Sequence, residues 1–279
     1  MAGRKERLID IFRDTQLTYV QHPVLKKAIS NCTPELIPAD VYPDMPSERE
    51  TAAVVKVTKS KSFESAMENH RKHPEWKITV LNFASAMNPG GGVKTGSSAQ
   101  EESLCRCSTL YPALLRQSMW DAYYSRNREM MDPLHTDDCI YTPGIIIFKT
   151  DDDYPKLMPE SDWVAVDVIS CAAPNLRRRP GNSHNPEYGR AVIISDADLY
   201  NLHLKRAKHI MHIAAANGAN ALVLGAFGCG AFANDPMVVA EAYRDALAEY
   251  RDYFRLIEFA VYCRPGETAN YDAFREMII

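Results

Sequence analysis

Two adjacent carboxylates that follow a run of glycines are the residues of this 279-residue chain best equipped to do chemistry. Asn88-Pro89-Gly90-Gly91-Gly92 comes after Ile78-Thr79-Val80-Leu81-Asn82-Phe83, an apolar, β-branched run that suits a parallel strand buried on both faces. The glycines leave the chain free to take positive φ and to lie against a ligand with no Cβ in between, a surface for something flat or anionic. After a gap of seven residues stands Gln100-Glu101-Glu102, in the first turn of a helix expected from near Ser98 through Leu104 and Leu110. Carboxylates there suit the positive end of the helix dipole and point back over the glycine loop. Adjacent helical side chains diverge by about 100°, so the pair should divide its tasks, one holding a substrate hydroxyl and the other moving a proton.

A second glycine-rich turn lies further on, where the strand Ala221-Leu222-Val223-Leu224 runs into Gly225-Ala226-Phe227-Gly228-Cys229-Gly230-Ala231-Phe232 and then a helix from Pro236. Glycines between a buried strand and a helix make an amide-lined cradle for phosphate, although a generic tight turn has the same look. The spacing of the glycine triplet and Gln-Glu-Glu resembles the signature of the poly(ADP-ribose) glycohydrolases in their microbial form. The run from Asp167 to Asn175 resembles that family too, and Gly-Cys-Gly-Ala-Phe resembles its diphosphate loop. The resemblance implies a macrodomain-like α/β/α fold and cleavage of ribose-to-ribose bonds. Its catalytic acid and base would be Glu102, with Glu101 holding ribose hydroxyls. Asn88, Gly90, Gly91, Gly92 and Gln100 would belong to the substrate site, and Gly228, Cys229, Gly230, Ala231 and Phe232 to the diphosphate and terminal ribose. Phe227 would be a second aromatic contact.

The frame that must hold these residues is legible from pattern. Strands and helices alternate from residue 51 onward, which implies a mixed, mainly parallel sheet with helices on both faces. Residues 1–50 read as a helical extension, either packed on the main domain or free as a partner-binding arm, and 51–279 as the catalytic domain. Within the extension, helices are expected from Arg4 to Val20 and from Val24 to Ile29, and the proline-rich stretch up to Glu50 reads as a connecting loop. Ala52 to Val57 reads as the first central strand and Ala191 to Ile194 as a strand or turn. Ser195 and Asp198 form a capping box for the helix that carries His203, His209 and His212 in surface or packed roles.

Composition narrows the function. A net charge of −4 is a poor match for a protein that coats a polyanion by bulk attraction, so amides and a local basic patch must hold an anionic ligand, and no direct nucleic-acid binding is expected. Arg177-Arg178-Arg179 with His184 offers such a patch, or else a solvated loop. Seven scattered cysteines without a CxxC pair read as free thiols of a reducing compartment. With no apolar run long enough for a membrane and no secretory signal, a cytoplasmic or nuclear address is the default. Neither a metal nor a cofactor is expected: Cys105 and Cys107 point to different helix faces, and Asp151-Asp152-Asp153 would not converge on one ion. Tyr111 reads as a pocket or core aromatic and His135 as solvated. The expected partners are poly(ADP-ribose) or ADP-ribosylated proteins, with ADP-ribose as product. Two alternatives stay open: a reader that binds ADP-ribose without cutting it, and a hydrolase of mono-ADP-ribosyl linkages.

Overall fold

The side-chain parity of the central strands sets the layers. In the computed structural model, which describes residues 3–47, 53–181 and 191–279, the N-terminal part forms α1 (Arg4–Gln21), α2 (Pro23–Asn31) and β1 (Glu35–Ile37). Next come β2 (Val54–Thr58), α3 (Ser62–Lys72), β3 (Ile78–Phe83), α4 (Gln100–Cys107), α5 (Leu110–Leu114) and α6 (Gln117–Met119). A π-helical turn, Trp120–Tyr124, leads into α7 (Ser125–Met130), followed by β4 (Cys139–Ile147) and β5 (Val164–Cys171). The chain continues through α8 (Asp196–Ala216), β6 (Ala221–Leu224), α9 (Pro236–Tyr250), β7 (Leu256–Ala260) and α10 (Ala269–Ile278). The seven strands form one sheet in the order β1-β4-β5-β3-β6-β7-β2, antiparallel at the β1-β4-β5 edge and parallel elsewhere.

Leu81, Ile169, Leu222, Leu224, Ile257 and Phe259 point to a core shared with α8, α9 and α10. Their neighbours Ile78, Val80, Val166, Val168 and Val223 point the other way, to a core built with α1, α3, α4 and α5. Both faces are therefore covered, as a parallel sheet requires, and the layered α/β/α arrangement agrees with the sequence reading.

Three local expectations are corrected. The stretch after α2 is not all loop, because residues 35–37 pair with β4 and extend the sheet. The strand read as central is an edge strand, β2, which pairs only with β7 and leaves Val54 exposed; Ala52 lies outside the described residues. Residues 191–195 carry no strand and lead directly into α8, whose N-cap Ser195 accepts from the Asp198 amide as expected. Pro112 lies in the first turn of α5, where its missing N–H leaves no intrahelical bond unmade.

Helix α1 is pinned to the elements that carry the site. Thr15 donates from Oγ1 to the Arg106 carbonyl of α4 at 2.6 Å, and the buried Lys149 ammonium holds Asp14 at 2.5 Å and the Ile11 carbonyl at 3.3 Å. Phe12 packs edge-on against Tyr111, centroids 4.9 Å apart, so Tyr111 is a core residue. Further along, Gly96 closes the 3₁₀ turn Val93–Thr95 at φ +77°, and a Cβ there would stand 2.6 Å from the Lys5 carbonyl oxygen. Gly96→Ala should therefore destabilise the protein by about 2 kcal/mol or more, since the substitution adds left-handed strain to a backbone clash. Chemical denaturation checks this, and an unchanged midpoint would contradict the packing of α1 on this turn.

Candidate active site

The two glutamates are seated by backbone amides. Gln100 straps the start of α4 to the strand beneath, accepting from the Phe83 amide at 2.9 Å and donating to the Leu81 carbonyl at 2.7 Å and to Ser62 Oγ at 3.0 Å. Its side chain is thus tied to the framework. With the helix start fixed, Glu101 and Glu102 are both buried. Glu101 Oε2 accepts from the Ser85 amide at 2.8 Å, and its Oε1 from Asn82 Nδ2 at 3.4 Å. Glu102 Oε1 accepts from the Gly92 amide at 2.9 Å. Gly91, at φ +55°, passes so close that a Cβ would lie 2.5 Å from Glu102 Oε1 and 3.1 Å from Glu101 Oε2. The glycine loop therefore also seats the protein's own carboxylates.

The two carboxylates then differ in what remains free. Both oxygens of Glu101 are bonded, whereas Glu102 Oε2 is buried with no hydrogen-bond partner among the described residues. Burial pushes the Glu101 carboxyl well above the usual range, and the Glu102 charge adds to that; hydrogen bonds from Ser85, Asn82 and Gly90 oppose it. Arg106, buried one turn along α4, holds the Ser97 carbonyl at 2.6 Å and so ties down the segment that returns from the glycine loop. Asp151 clamps the other side of the helix, accepting from Ser103 Oγ at 2.7 Å and the Phe63 amide at 3.2 Å. Burial pushes its carboxyl up to about 6. It is thus a support for α4, and Asp153 turns away to Lys61. Among the described residues no group of three or more His, Cys, Asp or Glu is arranged to hold a metal ion.

Asn88 sits at the entrance to the same loop, and its orientation is imposed from outside it. Arg128 of α7 donates from Nε to the Met87 carbonyl at 2.8 Å and from Nη2 to Asn88 Oδ1, with its guanidinium 4.8 Å from the Trp120 ring. With its oxygen occupied, Asn88 presents its NH₂ as the free group. Sequence reading missed Arg128, because nothing local to residue 128 reports a partner forty positions earlier in the chain.

β6 neighbours β3 in parallel, so the second loop leaves the same edge of the sheet beside the first. Phe83, the last residue of β3, meets Phe227 with centroids 5.6 Å apart, and a Cβ on Gly225 would stand 3.0 Å from the Phe83 ring. Gly230 and Ala231 are exposed and Phe232 is half-buried. Phe227 is fully buried against Phe83 and His203, so it supports the loop from beneath. Cys229 Sγ turns back to the Phe227 carbonyl at 3.6 Å, and burial pushes its thiol up. His135, read as solvated, is buried beside Phe232 and bonds the Ala173 carbonyl through Nδ1 at 2.8 Å. Arg177 lies over the Phe232 ring at 5.6 Å, while Arg178 and Arg179 are exposed; His184 lies outside the described residues.

Comparison with known proteins identifies a family for this fold. The family described as microbial-type PARG, catalytic domain, matches residues 16–150. The crystal structure of poly(ADP-ribose) glycohydrolase from Deinococcus radiodurans in complex with ADP-ribose is 31% identical, with 92% of this chain and 97% of that one covered at a TM-score of 0.73. The chain belongs to the microbial-type poly(ADP-ribose) glycohydrolase family. The glycohydrolase from Thermomonospora curvata is 25% identical over 97% of this chain and 98% of its own, at a TM-score of 0.79. The same enzyme bound to the inhibitor ADP-HPD gives 25% identity, 98% and 99% coverage and a TM-score of 0.77. No curated protein matches the sequence. In this member of the microbial-type glycohydrolase family, the Gln-Glu-Glu triplet thus divides into one framework residue, one enclosed carboxyl and one carboxyl with a free oxygen.

Carbon-13 NMR of the side-chain carboxyls tests that division. The Glu101 carboxyl should titrate above the ordinary glutamate range, and Glu102→Gln should lower its midpoint by removing a neighbouring negative charge. An ordinary midpoint that does not respond to the substitution would contradict it.

Proposed function

We propose that the protein hydrolyses the ribose-to-ribose O-glycosidic bonds of poly(ADP-ribose) and releases ADP-ribose. The observation that carries this reading is the single unpartnered oxygen of Glu102, held in place because its twin is fixed on the Gly92 amide. In the protonated form Glu102 Oε2 gives its proton to the departing ribose oxygen as the C–O bond breaks and the anomeric carbon gains oxocarbenium character. The resulting carboxylate then takes a proton from water as water bonds to that carbon. Burial and the neighbouring Glu102 charge both push the Glu101 carboxyl upward, so the two side chains resist being charged at the same time. Asn88, through its NH₂, and the glycine loop position the terminal ribose. Residues 228–232 take the diphosphate, and Phe232 packs against the sugar.

The targets are poly(ADP-ribose) chains and the ADP-ribosylated proteins that carry them, in the cytoplasm or nucleus, as part of reversing ADP-ribosylation in a DNA damage response. No helix among the described residues is long and apolar enough to cross a membrane.

Purified poly(ADP-ribose) and mono-ADP-ribosylated protein, each incubated with native protein and with Glu102→Gln, separate this reading from the alternatives. Native protein should release ADP-ribose from the polymer, and the variant should be slower by about a thousandfold, the order expected for a lost acid and base. A variant as fast as native would reject the mechanism. Tight binding of the polymer without turnover would favour a reader, and release from mono-ADP-ribosylated protein alone would favour the mono-linkage hydrolase.

A further inference from the structure

Beneath the second loop lies a buried polar pair that the chemistry above does not use. Asn234 is 2% exposed, and its Nδ2 donates to the Pro174 carbonyl at 2.7 Å and to the Gly228 and Phe232 carbonyls at 3.1 Å each. Its backbone amide donates to the Gly228 carbonyl as well, at 3.1 Å. Asn234 Oδ1 lies 2.7 Å from Nε2 of the fully buried His203 of α8, which fixes the amide the right way round: Nε2–H donates to the oxygen, and the NH₂ must face the carbonyls. Burial pushes the His203 imidazole down to about 4, so it stays neutral with that N–H in place through the physiological range.

These bonds gather the carbonyls of the loop on its inner side. Gly228 passes over the amide so closely that a Cβ would stand 2.9 Å from Asn234 Cγ, and the Phe232 carbonyl is shared with the Leu176 amide at 2.9 Å. On the outer side, the successive N–H groups of Gly230, Ala231 and Phe232 have no partner among the described residues, and a turn from the Ala233 amide to the Gly230 carbonyl at 3.2 Å holds that segment in shape. Consecutive free N–H groups in a turn form a concave anion site.

We infer that Asn234, oriented by His203, is the positioning residue that turns the carbonyls of the second loop inward and leaves three amides facing the diphosphate of the substrate. The inference rests on the function proposed above. Asn234 touches no substrate and acts only through the backbone it holds, so its loss should appear in binding more than in the chemical step.

Asn234→Ala and Asn234→Asp are compared with native protein by ADP-ribose titration, by kinetics on the polymer, and by NMR of the amides of residues 230–232. Both variants should raise Kd and KM by about tenfold or more, the effect of losing a network of buried hydrogen bonds, with kcat held within about threefold. Asp should fare no better than Ala, because oxygens would replace the donors that face the carbonyls. In native protein the three amides should shift on adding ADP-ribose, and in both variants they should not. If the alanine variant does not fold, His203→Ala leaves Asn234 present but unoriented and should weaken binding severalfold. Native-like Kd and amide shifts in any folded variant would overturn the inference. Native protein that binds no ADP-ribose would instead sink the proposed function; inorganic pyrophosphate then serves as the probe, and the lock stands only if it shifts those amides in native protein and not in the variants.

Discussion

Two carboxyl side chains enclosed next to each other, satisfied by backbone N–H groups and one asparagine side chain, are the constraint around which this protein is built. Placing Glu101 and Glu102 out of water is unfavourable unless donors reach them, and the donors come from Ser85, Asn82 and the glycine loop. That requirement explains the glycines more directly than ligand contact does. At Gly91 a methyl group would occupy the space of a carboxylate oxygen, and at Gly90 it would strike the Tyr111 ring at 2.7 Å. The loop and the helix start therefore define one another, and one oxygen of Glu102 is left over.

Much of the surrounding structure serves to keep α4 where that seat can form. Gln100 ties it to β3, Asp151 ties it to the start of α3, and Thr15 ties its carbonyl end to α1. Arg106 reaches back from the helix to the Ser97 carbonyl, closing the return from the glycine loop. These contacts come from elements far apart in the chain and converge on eight residues of helix. The second loop has a similar support in Asn234 and His203, with the buried Phe227 between the two sets. β3 and β6 are adjacent, and Phe83 at the end of β3 packs on Phe227 of the second loop.

How much of this was legible in the sequence depends on the range of the interaction. The parallel strands could be read because burial on both faces writes itself into each strand as an unbroken apolar run, as in Ile78 to Phe83. The capping of α8 by Ser195 is local and was legible for the same reason. β1 was not, since three residues at a sheet edge carry no period and are ordered by β4, a hundred positions later. That Gln100 turns onto β3 and Phe227 onto Phe83 was not legible, because a motif gives residue types at a spacing and says nothing of which way a side chain turns. Arg128 and His135 could not be found from their neighbours, since each is defined by a group on another loop, and Asn234 owes its orientation to His203, thirty-one positions earlier.

In the proposed function the free oxygen of Glu102 and the unpartnered amides of residues 230–232 address two ends of one ligand. A crystal structure of the protein with ADP-ribose tests it most directly. The account predicts the terminal ribose within hydrogen-bonding reach of Glu102 Oε2 and of the Asn88 amide, with the diphosphate on the N–H groups of Gly230, Ala231 and Phe232. A ribose bound away from Glu102, or a diphosphate held by side chains elsewhere while those amides face water, would contradict it.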